Sequence, residues 1–254
     1  MAYKEATRVH TSVLAAAEKR LIVWIAQRLP AWVNSDHLTV LAGVAMLGAG
    51  LCYWSGTAAA LLGAIVLLAV NWFGDSLDGT IARVRHHERP RYGFYVDHVL
   101  DVVGILFLVA GLVLGGHTSA LAGGGFLLAY YLLMIEIALA TCAVGTFRIS
   151  YWKFGPTELR ILLAVGTLQL MRSDFVWLAG HRLLLFDLGM TIGAIAIVCT
   201  FIASAVSNTR ALYRAEPLPK ASGLRAQEPG ARAKADRENG VKYVGVCPLP
   251  APEP

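Results

Sequence analysis

The sequence predicts an all-α integral membrane protein: one N-terminal interfacial amphipathic helix followed by about six transmembrane helices. Three observations predict it. Of 254 residues, 56% are hydrophobic and only 15% charged, with mean hydropathy +0.57; an ordinary soluble domain carries about a quarter charged residues. Apolar runs approaching the roughly 20 residues needed to cross a bilayer recur along the chain, nearly free of charge. The basic residues fall on alternate connections between those runs, as the positive-inside rule requires.

Residues 4–30 have a mixed helical pattern. Val13, Leu14, Leu21, Ile22, Trp24 and Ile25 alternate with Lys19, Arg20 and Arg28, and Pro30 ends the run. That suits a helix lying in the membrane interface, assigned here as a first region, 1–30. The alternative is a soluble helix packed on the body of the protein. The stretch is too charged for a cleaved signal peptide and lacks its short apolar core, so the first spans serve as the insertion signal. Spans follow near 38–54, 57–77, 94–115, 119–145, 159–171 and 184–207. The fifth, ILLAVGTLQLM, is short; alternatively it joins 172–186 as a longer, tilted helix. The membrane region is thus 31–210, and a disordered tail fills 211–254. The tail is rich in Pro, Gly, Ala and charge, and hydrophobic periodicity stops near 215. Cys52, Cys142, Cys199 and Cys247 show no paired spacing, which argues against a disulfide framework or a thiolate metal site.

Placing the N-terminus, the 78–93 loop, the 146–160 loop and the tail on one side collects 20 of the 22 Lys and Arg there. Only Arg172 and Arg182 fall opposite. The crowded side is expected to be cytoplasmic. The alanine-rich composition points to a bacterial plasma membrane. The basic tail, with Arg210 and Arg214, either touches anionic lipid headgroups or is simply solvated; no nucleic-acid partner is expected.

The acids stand out against this background. Asp75, Asp78, Asp97 and Asp101 lie within 27 residues, DSLDGTIARVRHHERPRYGFYVDHVLD, flanked by apolar helical runs. On helices, Asp75 and Asp78 at i, i+3 share a face, as do Asp97 and Asp101 at i, i+4. Four carboxylates gathered near a membrane cannot stay ionised unpaired, because desolvation and mutual repulsion both oppose it. They must share protons, meet cations or bind a hard divalent metal such as Mg²⁺ or Mn²⁺. A buried network with Arg83, Arg85, Arg89 and Arg91 would explain one or two acids, not four at helical spacing. His86, His87 and Glu88, in a charged loop closing with Pro90, read as solvated. Gly79 and Gly93 remove side chains where backbone must approach a ligand. Ala82 keeps the same face open, and Arg83 is a fork-shaped cation suited to phosphate oxygens.

The full spacing is Asp75-x2-Asp78-Gly79-x2-Ala82-Arg83-x9-Gly93-x3-Asp97-x3-Asp101. It resembles the signature of the CDP-alcohol phosphotransferases, membrane enzymes of phospholipid synthesis. All eight fixed positions are filled; the Arg83–Gly93 spacer is one residue longer than the commonest form. The resemblance implies two divalent ions held by the four aspartates, with Asp101 also taking the proton of the attacking hydroxyl. It implies that Gly79, Ala82, Arg83 and Gly93 surround the CDP group. The reaction would be attack of an alcohol on the β-phosphate of a CDP-alcohol with release of CMP, the enzyme a homodimer. Ser35-Asp36-His37-Leu38-Thr39 looks like the family's segment lining the nucleotide pocket, so Asp36 and Thr39 are CDP-binding candidates; alternatively they are ordinary helix-capping residues. Downstream, FRISYWKFGPTELR should face the acids. Arg148, Lys153 and Arg160 are placed to hold an anionic acceptor, with Glu158 orienting one of them, or else they satisfy topology alone.

The expected donor is CDP-diacylglycerol and the expected acceptor a phosphorylated polyol, such as inositol phosphate or glycerol phosphate. Serine as acceptor, or a CDP-choline or CDP-ethanolamine donor, is the nearest alternative. An intramembrane Mg²⁺-dependent prenyltransferase fits less well, since Asn71 misses the spacing of its Asn-Asp-x-x-Asp pattern. In a cation transporter, polar residues would continue through several spans instead of clustering at one face. Gly111 and Gly115 form a GxxxG that suits either a dimer contact or packing within the chain, while Gly123-Gly124-Gly125 opens the fourth span. Glu136 is an intramembrane acid with no assigned role.

Overall fold

Caps and helix breakers divide the chain where the apolar runs end. The structure is a computed structural model that describes residues 7–9, 15–144, 146–148, 156–178 and 180–216. Helix α1 covers Ala15–Ala26, and α2 covers Ser35–Ser55. The cap of α2 is Asn34, not the Ser, Asp and Thr that follow it. Its Oδ1 accepts from His37 N at 3.0 Å, while His37 Nδ1 accepts from Asn34 N at 3.4 Å. Gly56 closes α2 at φ 64°, a left-handed conformation that glycine adopts without strain. Thr57 then caps α3, Ala58–Val84, accepting from Ala60 N at 3.2 Å. Pro90 opens α4, Pro90–Leu114, at a position where its missing N–H costs nothing. Helices α5 (Ala120–Val144), α6 (Pro156–Leu170) and α7 (Leu185–Ala215) complete the set.

Five helices, α2–α5 and α7, are long and apolar enough to cross a membrane. The expected helical membrane architecture is therefore present, with corrections to its parts. Span five is α6, only 15 residues long, and does not continue through 172–186. Instead β3 (Phe175–Leu178) and β4 (His181–Leu184) form an antiparallel hairpin turned at Gly180, φ 83°. Within the expected helix of 4–30, the described residues are helical over Ala15–Ala26, and residues 4–6 and 10–14 lie outside the described residues. Residues Thr7–Val9 are extended as β1, paired in parallel with β2, Thr146–Arg148, as β-branched residues favour. The expected 78–93 loop shrinks to residues 85–89, since α3 runs on to Val84 and α4 starts at Pro90. Helix α7 continues past 211 to Ala215; the rest of the expected tail, from 217, lies outside the described residues.

Helix α2 packs against α3 and α4, α5 against α7, and α6 and α1 against α3. The main core joins Tyr53, Leu68, Leu108, Leu112, Phe126 and Phe186; a smaller one seats Ile22 and Ala26 of α1 on Leu38, Leu77 and Ile81. Backbones of α2 and α4 touch at glycine. A Cβ on Gly111 would lie 2.0 Å from Gly50 O, and one on Gly115 would lie 2.3 Å from Tyr53 O. The GxxxG is thus spent within the chain. Nothing lies within 4 Å of a Cβ built on Gly124 or Gly125.

Polar groups tie the remaining helices. Tyr53 Oη lies 2.6 Å from Thr167 Oγ1, joining α2 to α6. Glu136 now has a place: its Oε1 accepts from Ser204 Oγ at 2.9 Å and Asn208 Nδ2 at 2.7 Å, fastening α5 to α7. Asp187 accepts from Thr118 Oγ1 and Ser119 N, each at 2.6 Å, and fixes the start of α7 beside the start of α5.

Candidate active site

Helical periodicity builds the site from three stripes. On α3, Asn71, Asp75 and Asp78 stand at i, i+4, i+7; on α4, Asp97, Asp101 and Gly104 repeat that spacing; on α2, Thr39, Ala42, Gly43 and Met46 do nearly the same. All ten line one small cavity of about 20 Å³ between the three helices, with room at its floor for an ion or a water. Gly104 permits the close approach of α4 to α2, since a Cβ there would sit 2.8 Å from Met46 Cγ.

One carboxylate oxygen from each of Asp75, Asp97 and Asp101 falls within 4.8 Å of the others. Asp78, the fourth expected ligand, lines the same cavity but is not in this group. Its Oδ2 accepts from Thr39 Oγ1 at 2.8 Å and its Oδ1 from Gly79 N at 2.5 Å. Thr39 Oγ1 also lies 3.0 Å from Ser35 O, its partner one turn back. The cationic neighbour of the trio is Arg160 of α6, whose Nη2 donates to Asp75 Oδ2 at 2.6 Å. Arg160 Nε donates to Asn71 Oδ1 at 2.8 Å, and Asn71 Nδ2 donates to Ala42 O at 3.0 Å. Three hard carboxylate donors in so small a volume fit a divalent cation of the Mg²⁺ or Mn²⁺ kind.

The other expected residues surround this centre at different distances. Gly79, Ala82 and Arg83 lie on the last turns of α3, where Arg83 Nη2 donates to Thr80 Oγ1 at 3.1 Å. A Cβ on Gly79 would meet Arg83 Nη1 at 3.4 Å, an ordinary contact that places the guanidinium beside this face of α3. Gly93, on the first turn of α4, is exposed with open space about it. Asp36 is ion-paired with Arg89, and that hydrogen bond raises the already high pKa of the guanidinium. Glu158 lies half-buried in the first turn of α6, two residues before Arg160. Arg148 falls in β2, where the backbone alone is described, and Lys153 lies outside the described residues.

Two residues gain roles that the sequence did not reveal. Arg85 threads back under α2: Nη2 donates to Leu29 O at 2.9 Å and Pro30 O at 3.0 Å, and Nη1 donates to Val33 O and to Ala31 O at 3.3 Å. It satisfies four loop carbonyls and fixes where α2 begins relative to the end of α3. Asn71 is buried, 7% exposed, and had entered the sequence reading only as a residue of unsuitable spacing. Its signal was its place one turn before Asp75, a lone amide in an apolar run.

Residues 32–206 match the sequence profile of the CDP-alcohol phosphatidyltransferases. The chain is similar to an archaetidylinositol phosphate synthase of Methanothermobacter thermautotrophicus, 30% identical over 132 residues. That match covers 50% of this chain and 65% of the relative, so the chain matches somewhat less than two thirds of the relative's length. In fold it is similar to Mycobacterium tuberculosis phosphatidylinositol phosphate synthase (PgsA1), solved with CDP-DAG bound. The TM-score is 0.56 at 20% identity, over 74% of this chain and 94% of that one.

Proposed function

Because the chain belongs to the CDP-alcohol phosphatidyltransferase family, we propose that it transfers a phosphatidyl group from CDP-diacylglycerol to the hydroxyl of a phosphorylated polyol, releasing CMP. The observation that carries this reading is the trio Asp75, Asp97 and Asp101 in a cleft of three helices, with Arg160 beside it. Inositol phosphate is the preferred acceptor, with glycerol phosphate next. The names of the archaeal and mycobacterial proteins, an archaetidylinositol phosphate synthase and a phosphatidylinositol phosphate synthase, support that order.

In this mechanism a carboxylate oxygen of Asp101 takes the proton of the acceptor hydroxyl. The hydroxyl oxygen forms a bond to the β-phosphorus as the bond to the bridging oxygen of CMP breaks, and CMP carries the electron pair away. Asp75, Asp78, Asp97 and Asp101 would hold two Mg²⁺ or Mn²⁺ ions, which would supply positive charge at the diphosphate. Gly79, Ala82, Arg83 and Gly93 form the CDP subsite at the adjoining ends of α3 and α4. Thr39 borders it through Asp78. Arg160, with Glu158, Arg148 and Lys153, is the acceptor side. The enzyme works as a homodimer in a bacterial plasma membrane with the acids toward the cytoplasm, where both a nucleotide donor and a phosphorylated acceptor are found.

The test is CMP release by purified protein with CDP-diacylglycerol and Mn²⁺ or Mg²⁺. Inositol phosphate, glycerol phosphate, inositol and serine are supplied in turn. Inositol phosphate should give the fastest release, and Asp101→Ala should slow it at least about 100-fold, the lower range for a general base. Silence with all four, and with CDP-choline and CDP-ethanolamine given a lipid acceptor, would reject the phosphotransferase reading.

A further inference from the structure

Asp75 has one oxygen held by a cation, and that cation is itself held. Arg160 is mostly enclosed, its side chain 14% exposed and that of Asp75 25%. A guanidinium on a long side chain has many rotamers, so the 2.6 Å contact with Asp75 Oδ2 needs something to select it. The selecting group is Asn71. Its Oδ1 receives Arg160 Nε at 2.8 Å, and its Nδ2 is fixed on Ala42 O at 3.0 Å. The two bonds determine the amide orientation, because reversing it would set an NH₂ against Nε–H and a carbonyl against a carbonyl. A continuous chain of hydrogen bonds therefore links the Ala42 carbonyl of α2, through Asn71 of α3 and Arg160 of α6, to the carboxylate.

We infer that Asn71 is a positioning residue for the divalent-metal centre: through Arg160 it fixes the rotation of the Asp75 carboxylate relative to Asp97 and Asp101. Hydrogen bonds behind a ligating carboxylate orient it, and their loss typically weakens metal binding 10- to 100-fold. This inference rests on the metal reading given above and adds to it a residue outside the aspartate pattern.

The test is Mn²⁺ binding to the full-length protein in detergent, read by the electron paramagnetic resonance of free Mn²⁺ without substrate. Asn71→Leu removes both amide bonds while leaving the Arg160 charge in place. Arg160→Lys keeps a positive charge but has no Nε–H donor, and leaves the bond from Asn71 to Ala42 of α2 in place. Each should weaken Mn²⁺ binding about 10- to 100-fold, and the double variant should lose no more than the weaker-binding single one. Wild-type affinity in either folded single variant, or losses that multiply in the double, would overturn the inference. Should Asn71→Leu fail to fold, Asn71→Ala, which removes the same two amide bonds, is measured in its place. A wild type with no saturable Mn²⁺ site would bring down the metal reading as well, whereas saturable wild-type binding with unaffected variants rejects only the role of Asn71.

Discussion

At the scale of single residues, the site is a set of carboxylates whose surroundings differ. Asp75 faces a guanidinium, while Asp78 is held by a hydroxyl and a backbone amide. Thr39→Val keeps the shape of Thr39 and deletes the donor to Asp78. It should lower stability by about 1.5–3 kcal/mol, the range for a hydrogen bond to a charged group. Unfolding in detergent checks this, with Thr39→Ser near wild type; a valine variant as stable as wild type would mean the bond contributes nothing. The four aspartates were legible in the sequence because their spacing is a property of one helix at a time. The Asn71–Arg160 contact was not, since its partners are 89 residues apart and meet only through the docking of α6 on α3. The pairing of Asp36 with Arg89, 53 residues on, was likewise not legible in the sequence.

At the scale of elements, glycines decide how closely the helices of the site approach. Gly50, Gly104 and Gly111 put α4 against α2, and Asp97 and Asp101 reach Asp75 because of it. Gly111→Ala should therefore cost about 1–3 kcal/mol or more, the range for overpacking against an unyielding backbone. Gly124→Ala, with open space around it, should stay within about 0.5 kcal/mol of wild type. Thermal unfolding of the two variants side by side checks the pair; equal melting would mean that the α2–α4 contact relaxes freely. Element boundaries were less legible than elements. The polar run from Asp78 to Arg83 suggests a loop to any reading by hydropathy. It remains helical because Ile81 and Leu77 pack on α1, a contact that composition does not announce. The β3–β4 hairpin escaped for a related reason: its short, mixed run FVWLAGHRLLL carries neither a clean helical nor a clean strand period.

At the scale of the whole molecule, the charge asymmetry of the connections predicts which way the chain faces. In a background with Cys52, Cys142, Cys199 and Cys247 replaced, His181→Cys should react with an impermeant maleimide in intact cells. His86→Cys should react only once the membrane is opened. Labelling of His86→Cys in intact cells would reverse the orientation and set the acids outside. The order of the spans was readable because hydropathy and arginine placement are sums over many residues and tolerate local error. The short reach of α6 belongs to this scale too. Its 15 residues rise about 22 Å, against roughly 30 Å of hydrocarbon, while α2, the shortest helix long enough to span, has 21. A short helix is met by thinning of the bilayer, by snorkelling of flanking side chains or by oligomerising. Thinning would bend the water boundary inward along α6, on the side where Arg160 meets Asp75.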